Sequence, residues 1–193
     1  MRVLVGCEES QAVTKAFRDR GHEAYSCDIQ ECSGGHPEWH ITGDVFDAIT
    51  NNGQWDIIIL HPPCTALAVS GNAWYGYGMA KHQERSHALA WTRDLWNVAK
   101  LHALVGVALE NPVGVLTKHP DFGKPQYVQP WMFGHKEQKK TGLWLKNLPL
   151  LVPTGIVDGR EPRIHRMPPG PNRGHDRSIT YTGIAEAMAN QWG

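Results

Sequence analysis

The chain predicts an α/β fold built on a mostly parallel sheet, and three observations carry that expectation. Short apolar runs at 2–6, 55–60 and 105–109 have the length and composition of buried strands. Helical patterns lie between them, the clearest over 83–104. Strands alternating with helices favour parallel pairing through right-handed crossovers. Finally, the chemically suggestive residues follow the carboxyl ends of the apolar runs, where open α/β sheets bind their ligands.

Taken in order, Arg2–Gly6 reads as the first strand. Val13, Ala16 and Phe17 then share one face of a helix that Gly21 ends. Residues 23–29 read as a second strand closing on Asp28, and 30–43, polar and carrying two adjacent Gly, as a loop. The run WDIIIL is a strand stopped by His61-Pro62-Pro63-Cys64. Residues 83–104 place Leu89, Trp91, Leu95, Trp96, Val98, Leu101 and Leu104 at helical spacing. VGVAL is the next strand, ending at Glu110-Asn111-Pro112, with a further strand at 143–145 and a closing helix at 184–191. Ten of the thirteen Pro fall from Pro112 onward, so the second half should be less regular than the first. The stretch 160–177 gathers Arg, His and Pro and is expected to be a loop.

Composition excludes several classes. The chain has 193 residues, enough for one domain that buries about 70% of its unfolded surface. Hydrophobic residues make up 41% and charged residues 20%, a globular and not a disordered balance. No apolar run approaches the ~20 residues that span a bilayer, so no membrane partner is expected, and the N-terminus has no signal-peptide pattern. Four Cys suit a reducing cytoplasm, not a disulfide framework. With 19 basic and 19 acidic residues the formal charge is zero, which argues against nucleic-acid binding by bulk charge alone but leaves room for a basic groove.

Several residues carry candidate chemistry. Asp28 after the second strand, with Gly6 after the first, suits a nucleoside whose ribose hydroxyls donate to the acid; a turn or cap role is the alternative. Asp44 is a second acid for the same ligand. The loop VGCEES lacks the GxGxxG pattern, so no dinucleotide cofactor is expected. Cys64 follows two Pro that fix its backbone; it is either a nucleophile or a small buried hydrophobe. Glu110 could act as an acid toward a ring nitrogen near that thiol, or could anchor a loop. Cys27, Cys32, His36 and His40 have spacing that fits a zinc site poorly, and no metal is expected.

As a set, these motifs resemble the DNA cytosine-5 methyltransferases, and more closely their short branch associated with phages and prophages. VLVGCEESQAVTKAFRDRGHEA matches the strand and loop that contact S-adenosylmethionine, Asp28 the acid after the second strand, and Asp44 the acid of the third motif. HPPCTALAVSG resembles the nucleophile motif, Glu110-Asn111-Pro112 the Glu-Asn-Val motif, FGHKEQKKTGLWL the Gln-x-Arg-x-Arg motif and YTGIAEAMA the last helix. The resemblance implies a Rossmann-like S-adenosylmethionine-dependent methyltransferase with helices on both sheet faces. It covers nearly the whole chain as one domain, with an irregular Pro/Arg-rich segment at about 146–182 in place of a target-recognition domain.

The implied reaction is methyl transfer to C5 of cytosine in DNA, duplex or single-stranded, through a covalent Cys64 adduct. Glu110 and Lys139 would serve the base as catalytic partners. Gly6, Glu8, Asp28, Ile29, Asp44, Val45 and Pro62 would hold S-adenosylmethionine. Pro63, Thr65, Ser70, Asn111, Thr141 and Arg177 would meet the substrate, and Trp74, Tyr75 and Tyr77 could stack on bases. The setting implied is a bacterial or phage-infected cytoplasm. Thr65, Glu137 and Thr141 depart from the family pattern, and only about 35 residues separate Leu145 from the closing helix. Low sequence specificity follows. The competing readings are the same chemistry on RNA or a free pyrimidine nucleotide, and a catalytically silent nucleic-acid-binding module. An amino-group methyltransferase is disfavoured, because its motif places an acid or Asn before Pro-Pro and an aromatic after it.

Overall fold

The computed structural model describes residues 1–168, 170 and 173–193, apart from the side chains of His165, Arg173 and His175. In chain order the elements are β1 (Arg2–Gly6), α1 (Ala12–Asp19), β2 (Glu23–Asp28), β3 (His40–Thr42), α2 (Val45–Asn51), β4 (Trp55–Leu60) and α3 (Asn72–Tyr75). There follow α4 (His82–His102), β5 (Ala103–Pro112), β6 (Gln126–Val128), β7 (Thr141–Lys146), α5 (Arg163–Arg166), α6 (Arg173–Ser178) and α7 (Thr182–Trp192).

The strands form one sheet in the order β3-β2-β1-β4-β5-β7-β6. β1 to β5 pair in parallel, and β7 runs antiparallel to both β5 and β6. This is a mostly parallel, Rossmann-like sheet. Its topological switch lies between β1 and β4, since the chain moves outward from β1 through β2 to β3 and returns on the other side.

Side-chain alternation along the strands separates two cores. Val3, Val5, Ile57, Ile59 and Ala108 face one way and pack on Val13 and Phe17 of α1 and on Ile184, Ala187 and Met188 of α7. Leu4, Ile58, Leu60, Val107 and Leu109 face the other way, against Val45, Ala48 and Ile49 of α2 and Leu95, Trp96 and Ala99 of α4. Helices therefore cover both faces, which explains why β1 and β4 read as unbroken apolar runs. Each fully buried large side chain contributes roughly 1.5–3 kcal/mol.

The structure corrects the sequence reading in four places. Residues 40–42, expected within a loop, form the edge strand β3 against β2. The long helix ends at His102 with Leu101 exposed on its last turn, and β5 runs from Ala103 to Pro112, taking in the exposed Leu104 and the Glu110-Asn111-Pro112 expected to follow it. The strand expected at 143–145 spans Thr141–Lys146 and pairs with the three-residue β6. Within 160–177, α5 and α6 take the place of an open loop. Short edge strands and four- to six-residue helices carry too few residues to show a period.

Candidate active site

The cleft forms where the loops after β1, β2, β4 and β5 converge, and it has two connected lobes. The first, about 340 Å³, is lined by the ends of those strands, by Lys139 and by residues of α6 and its exit. The second, about 680 Å³, opens beside it toward Trp74, Tyr75, Lys81 and Lys140. Cys64, Thr65, Pro112, Lys139 and Arg177 belong to both.

Cys64 is placed by a chain of backbone constraints. Its carbonyl accepts from Leu67 N and Ala68 N, making a helical turn after the two prolines. Asn111 Nδ2 donates to Pro62 O at 2.9 Å, tying the end of β5 to this loop. Further out, Val69 N donates to Val113 O and Val115 N to Leu67 O. Gly114 sits so close that an added Cβ would lie 2.0 Å from Leu67 O. On the outer side, Arg85 Nε donates to Ala66 O at 2.6 Å.

Burial pushes the Cys64 thiol up, and the Glu110 carboxylate adds to the effect; Lys139, a backbone hydrogen bond and Arg177 oppose it without cancelling it. The resting group is a thiol. Glu110 faces His61, with Nδ1 to Oε2 at 3.1 Å and side-chain exposures of 10% and 13%. Burial alone would raise the Glu110 carboxyl, but the His61 hydrogen bond, the Lys139 charge and a Thr141 hydrogen bond outweigh it and hold it below the usual carboxylate range. Lys139 Nζ donates to Ile179 O at 3.4 Å.

Of the residues expected to hold a cofactor, Glu8, Asp28 and Pro62 line the first lobe. Glu8, however, accepts from Val13 N, Thr14 N and Thr14 Oγ1, so its carboxylate is committed to the start of α1. Asp28 accepts from Gln30 N through one oxygen. Gly6, Ile29, Asp44 and Val45 do not line the cleft. Gly6 is there for packing, since a Cβ would meet Val45 Cγ2 at 2.6 Å. Val45 lies in the core, Asp44 caps α2 by accepting from Phe46 N, and Ile29 is exposed at the rim.

Among the expected substrate residues, Pro63, Thr65, Asn111 and Arg177 line the first lobe and Ser70 the second. Asn111 is chiefly a brace, and Thr141 sits beneath Glu110 and Lys139. Trp74 borders the second lobe and Tyr77 is almost fully exposed beyond it. Glu137, one of the departures from the family pattern, receives Arg163 at 2.9 Å and a short hydrogen bond from Tyr181, so it clamps the cap instead of facing the cleft. Of the residues weighed as a zinc site, Cys27 is buried with its thiol toward Gly43 O and both His have other partners. His40 bridges Ser26 and Gln30, His36 stacks on Trp39, and no metal-binding cluster occurs among the described residues.

Cys7, Glu9, Ser10, Gln30 and His61 line the first lobe without having been singled out. Cys7 and Gln11 have left-handed backbones, φ 60 and 56, which bend the loop after β1 around the cleft. The signal for His61 was its position at a strand end directly before Pro-Pro.

No family model matches the chain, and no curated protein matches it. A solved structure with a similar fold is a protein encoded within an E. coli prophage and provisionally called a DNA modification methyltransferase. The two share 12% identity at a TM-score of 0.48, over 81% of this chain and 52% of that one, so this chain spans about half the length of the protein it resembles.

Proposed function

We propose that the protein transfers a methyl group from S-adenosylmethionine to C5 of cytosine in DNA, with little sequence selectivity, through a transient bond between Cys64 Sγ and C6 of the base. The observation that carries this reading is the meeting of Cys64, Glu110 and Lys139 in one cleft whose wall also holds Asp28.

The residues present fit the cofactor. The first lobe lies at the switch between β1 and β4, has the volume of a small-molecule site, and offers Asp28 for ribose hydroxyls with Ser10 and Gln30 as further polar groups. Bound there, S-adenosylmethionine supplies an electrophilic methyl group. The chain's own residues supply the rest. Sγ, once deprotonated, forms a bond to C6, and the C5=C6 electron pair shifts into the ring toward N3. Lys139 stabilises the negative charge that develops on the ring. Glu110, ionised in the resting site, accepts from the exocyclic amino group, a contact that thymine with its O4 acceptor cannot make. When C5 carries the methyl, its proton leaves to water, the freed electron pair re-forms the C5=C6 bond, and Sγ is expelled as the aromatic ring is restored.

Low selectivity is supported by the region after β7. Among the described residues between β7 and α7, the helices span four and six residues, too short to read a major groove. The second lobe supports a polynucleotide substrate, because Trp74 and Tyr75 offer stacking faces beside Lys81, Lys140 and Arg177.

The test is trapping. The protein is incubated with S-adenosylmethionine and oligonucleotides carrying 5-fluorocytosine, duplex and single-stranded, and its intact mass is measured. The fluorine blocks elimination, so an adduct is expected that disappears in Cys64→Ser. Absence of an adduct from protein shown to bind the cofactor would overturn the proposal. Trapping confined to a free nucleotide or RNA would move the same chemistry to that substrate.

A further inference from the structure

Resting on that reading of the cleft, we propose that His61 is the proton carrier of the site: it takes the proton of the Cys64 thiol and returns it, through Glu110, to N3 of the base.

The placement is specific. His61 follows β4 directly, and its backbone N–H donates to Gly6 O at 2.9 Å, so the ring is held at the sheet switch. Nδ1 meets Glu110 Oε2 at 3.1 Å, across 49 positions of sequence. Nε2 is buried and has no partner among the described residues. A histidine kept only to brace Glu110 would not need a second, buried ring nitrogen left without a partner. His61 and Cys64 line the same lobe, and Nε2, unpartnered in the free protein, accepts the thiol proton once bound substrate brings Sγ up to it.

The protons balance. In the proposed cycle the Nδ1 proton of His61 is donated to the Glu110 carboxylate and Nε2 is the accepting nitrogen. Nε2 accepts the proton of Sγ as the Sγ–C6 bond forms. The imidazolium then passes its Nδ1 proton to Oε2, and Glu110 gives a proton to N3, where the displaced electron pair resides. One proton has left sulfur and one has reached N3; His61 is neutral again with its proton on Nε2. On elimination the N3 proton runs back, restoring the Nδ1–H form and Sγ–H. Among the described residues, the charged and titratable groups lining the lobe with this pair are Lys139 from the approach to β7, Arg177 from α6, Cys64 itself, Asp28 from β2, and Cys7, Glu8 and Glu9 from the loop after β1.

The test compares wild type, His61→Gln and His61→Ala in single-turnover adduct formation with the 5-fluorocytosine oligonucleotide. Glutamine can still donate to Glu110 but cannot carry a proton. The expected result is an adduct rate lower by about 10²–10⁴-fold in both variants, with S-adenosylmethionine binding within about twofold of wild type. Added imidazole should raise the His61→Ala rate at least about tenfold and leave wild type unchanged. A His61→Gln rate within about threefold of wild type would overturn the proposal, as would failure of imidazole to rescue a folded His61→Ala. Should wild type form no adduct, the methyltransferase reading fails, and the proton step is judged by iodoacetamide capture of Cys64 at pH 7.5. Slower capture in His61→Gln supports the His61–Cys64 proton transfer, and unchanged capture overturns it.

Discussion

Cys64 is a thiol held up by its surroundings, with Glu110 raising it and Lys139 lowering it. That opposition predicts alkylation rates on the free protein, with no substrate needed. Glu110→Gln removes the opposing negative charge and should speed capture of Cys64 by iodoacetamide at pH 7.5, by about tenfold if one pKa unit is recovered. Lys139→Met should slow it. Peptide mapping by mass spectrometry separates Cys64 from Cys7, whose thiol burial pushes up further. In both wild type and variants the rate should climb with pH, because only the thiolate reacts.

The Glu110 carboxyl is depressed in the fold, so its sign is fixed. Its contribution to stability is fully present above the unfolded pKa, about 4.3, and is lost as pH falls through the lower folded value. Urea midpoints measured from pH 6 down to pH 2.5 should fall more steeply for wild type than for Glu110→Gln. Parallel curves would show that His61, Lys139 and Thr141 do not stabilise the charged form. At this scale the sequence points to Cys64 and Glu110, the family resemblance adds Lys139, and Glu110 reads as either an acid toward a ring nitrogen or a carboxylate that anchors a loop. The structure makes it a carboxylate, because a histidine from the neighbouring strand end and a lysine from far along the chain reach it.

The elements around the cleft act as a frame for one loop. The turn carrying Cys64 is tied to the segment after β5 by two backbone hydrogen bonds and the Asn111–Pro62 link. Gly114 lets the two segments approach. Gly114→Ala places a methyl against backbone atoms of Leu67 and Ala68, which cannot rotate away. It should cost about 1–3 kcal/mol in urea unfolding and slow adduct formation at Cys64 by at least about tenfold, with S-adenosylmethionine binding retained. Equal loss of cofactor binding would mean the disturbance spreads through the sheet. α1 and α4 could be read from the chain because burial on one face leaves a pattern of period 3.6, and β1 and β4 because burial on both faces leaves an unbroken apolar run. β3 and β6, three residues each, leave none and are recognised only by their partners.

At the scale of the molecule, a formal charge of zero coexists with a cleft that gathers Lys81, Lys139, Lys140 and Arg177. Binding to single-stranded DNA should therefore depend on local cations. If Lys81, Lys140 and Arg177 meet phosphates while Lys139 faces the base, log K against log salt should have a slope of about −2, and Lys140→Gln should reduce it by about 0.7. A slope near zero would remove the second lobe as a strand-binding surface. Lys140 is a suitable probe because it is exposed, stacks over Tyr127 and lies outside the chemistry proposed for Lys139.

The sequence by itself determined the layered α/β architecture, because strand and helix periodicities are local properties written in apolar spacing. It also placed the reactive candidates at strand ends, since Pro-Pro follows β4 after His61 alone and Asn-Pro forms the last two residues of β5. Only the tertiary structure decided which candidates share a cleft. Gly6, Asp44 and Val45 lie outside the cleft lining, in packing and capping contacts; Glu8 lines the cleft with its carboxylate on the start of α1, and Glu137 joins the cap. His61 joins Glu110 because β4 and β5 lie side by side with Leu60 opposite Leu109, a register that no stretch of either strand contains alone. Protonation follows the same rule: a side chain's charge state depends on burial and on neighbours brought from other elements, so it becomes definite only when the sheet is assembled.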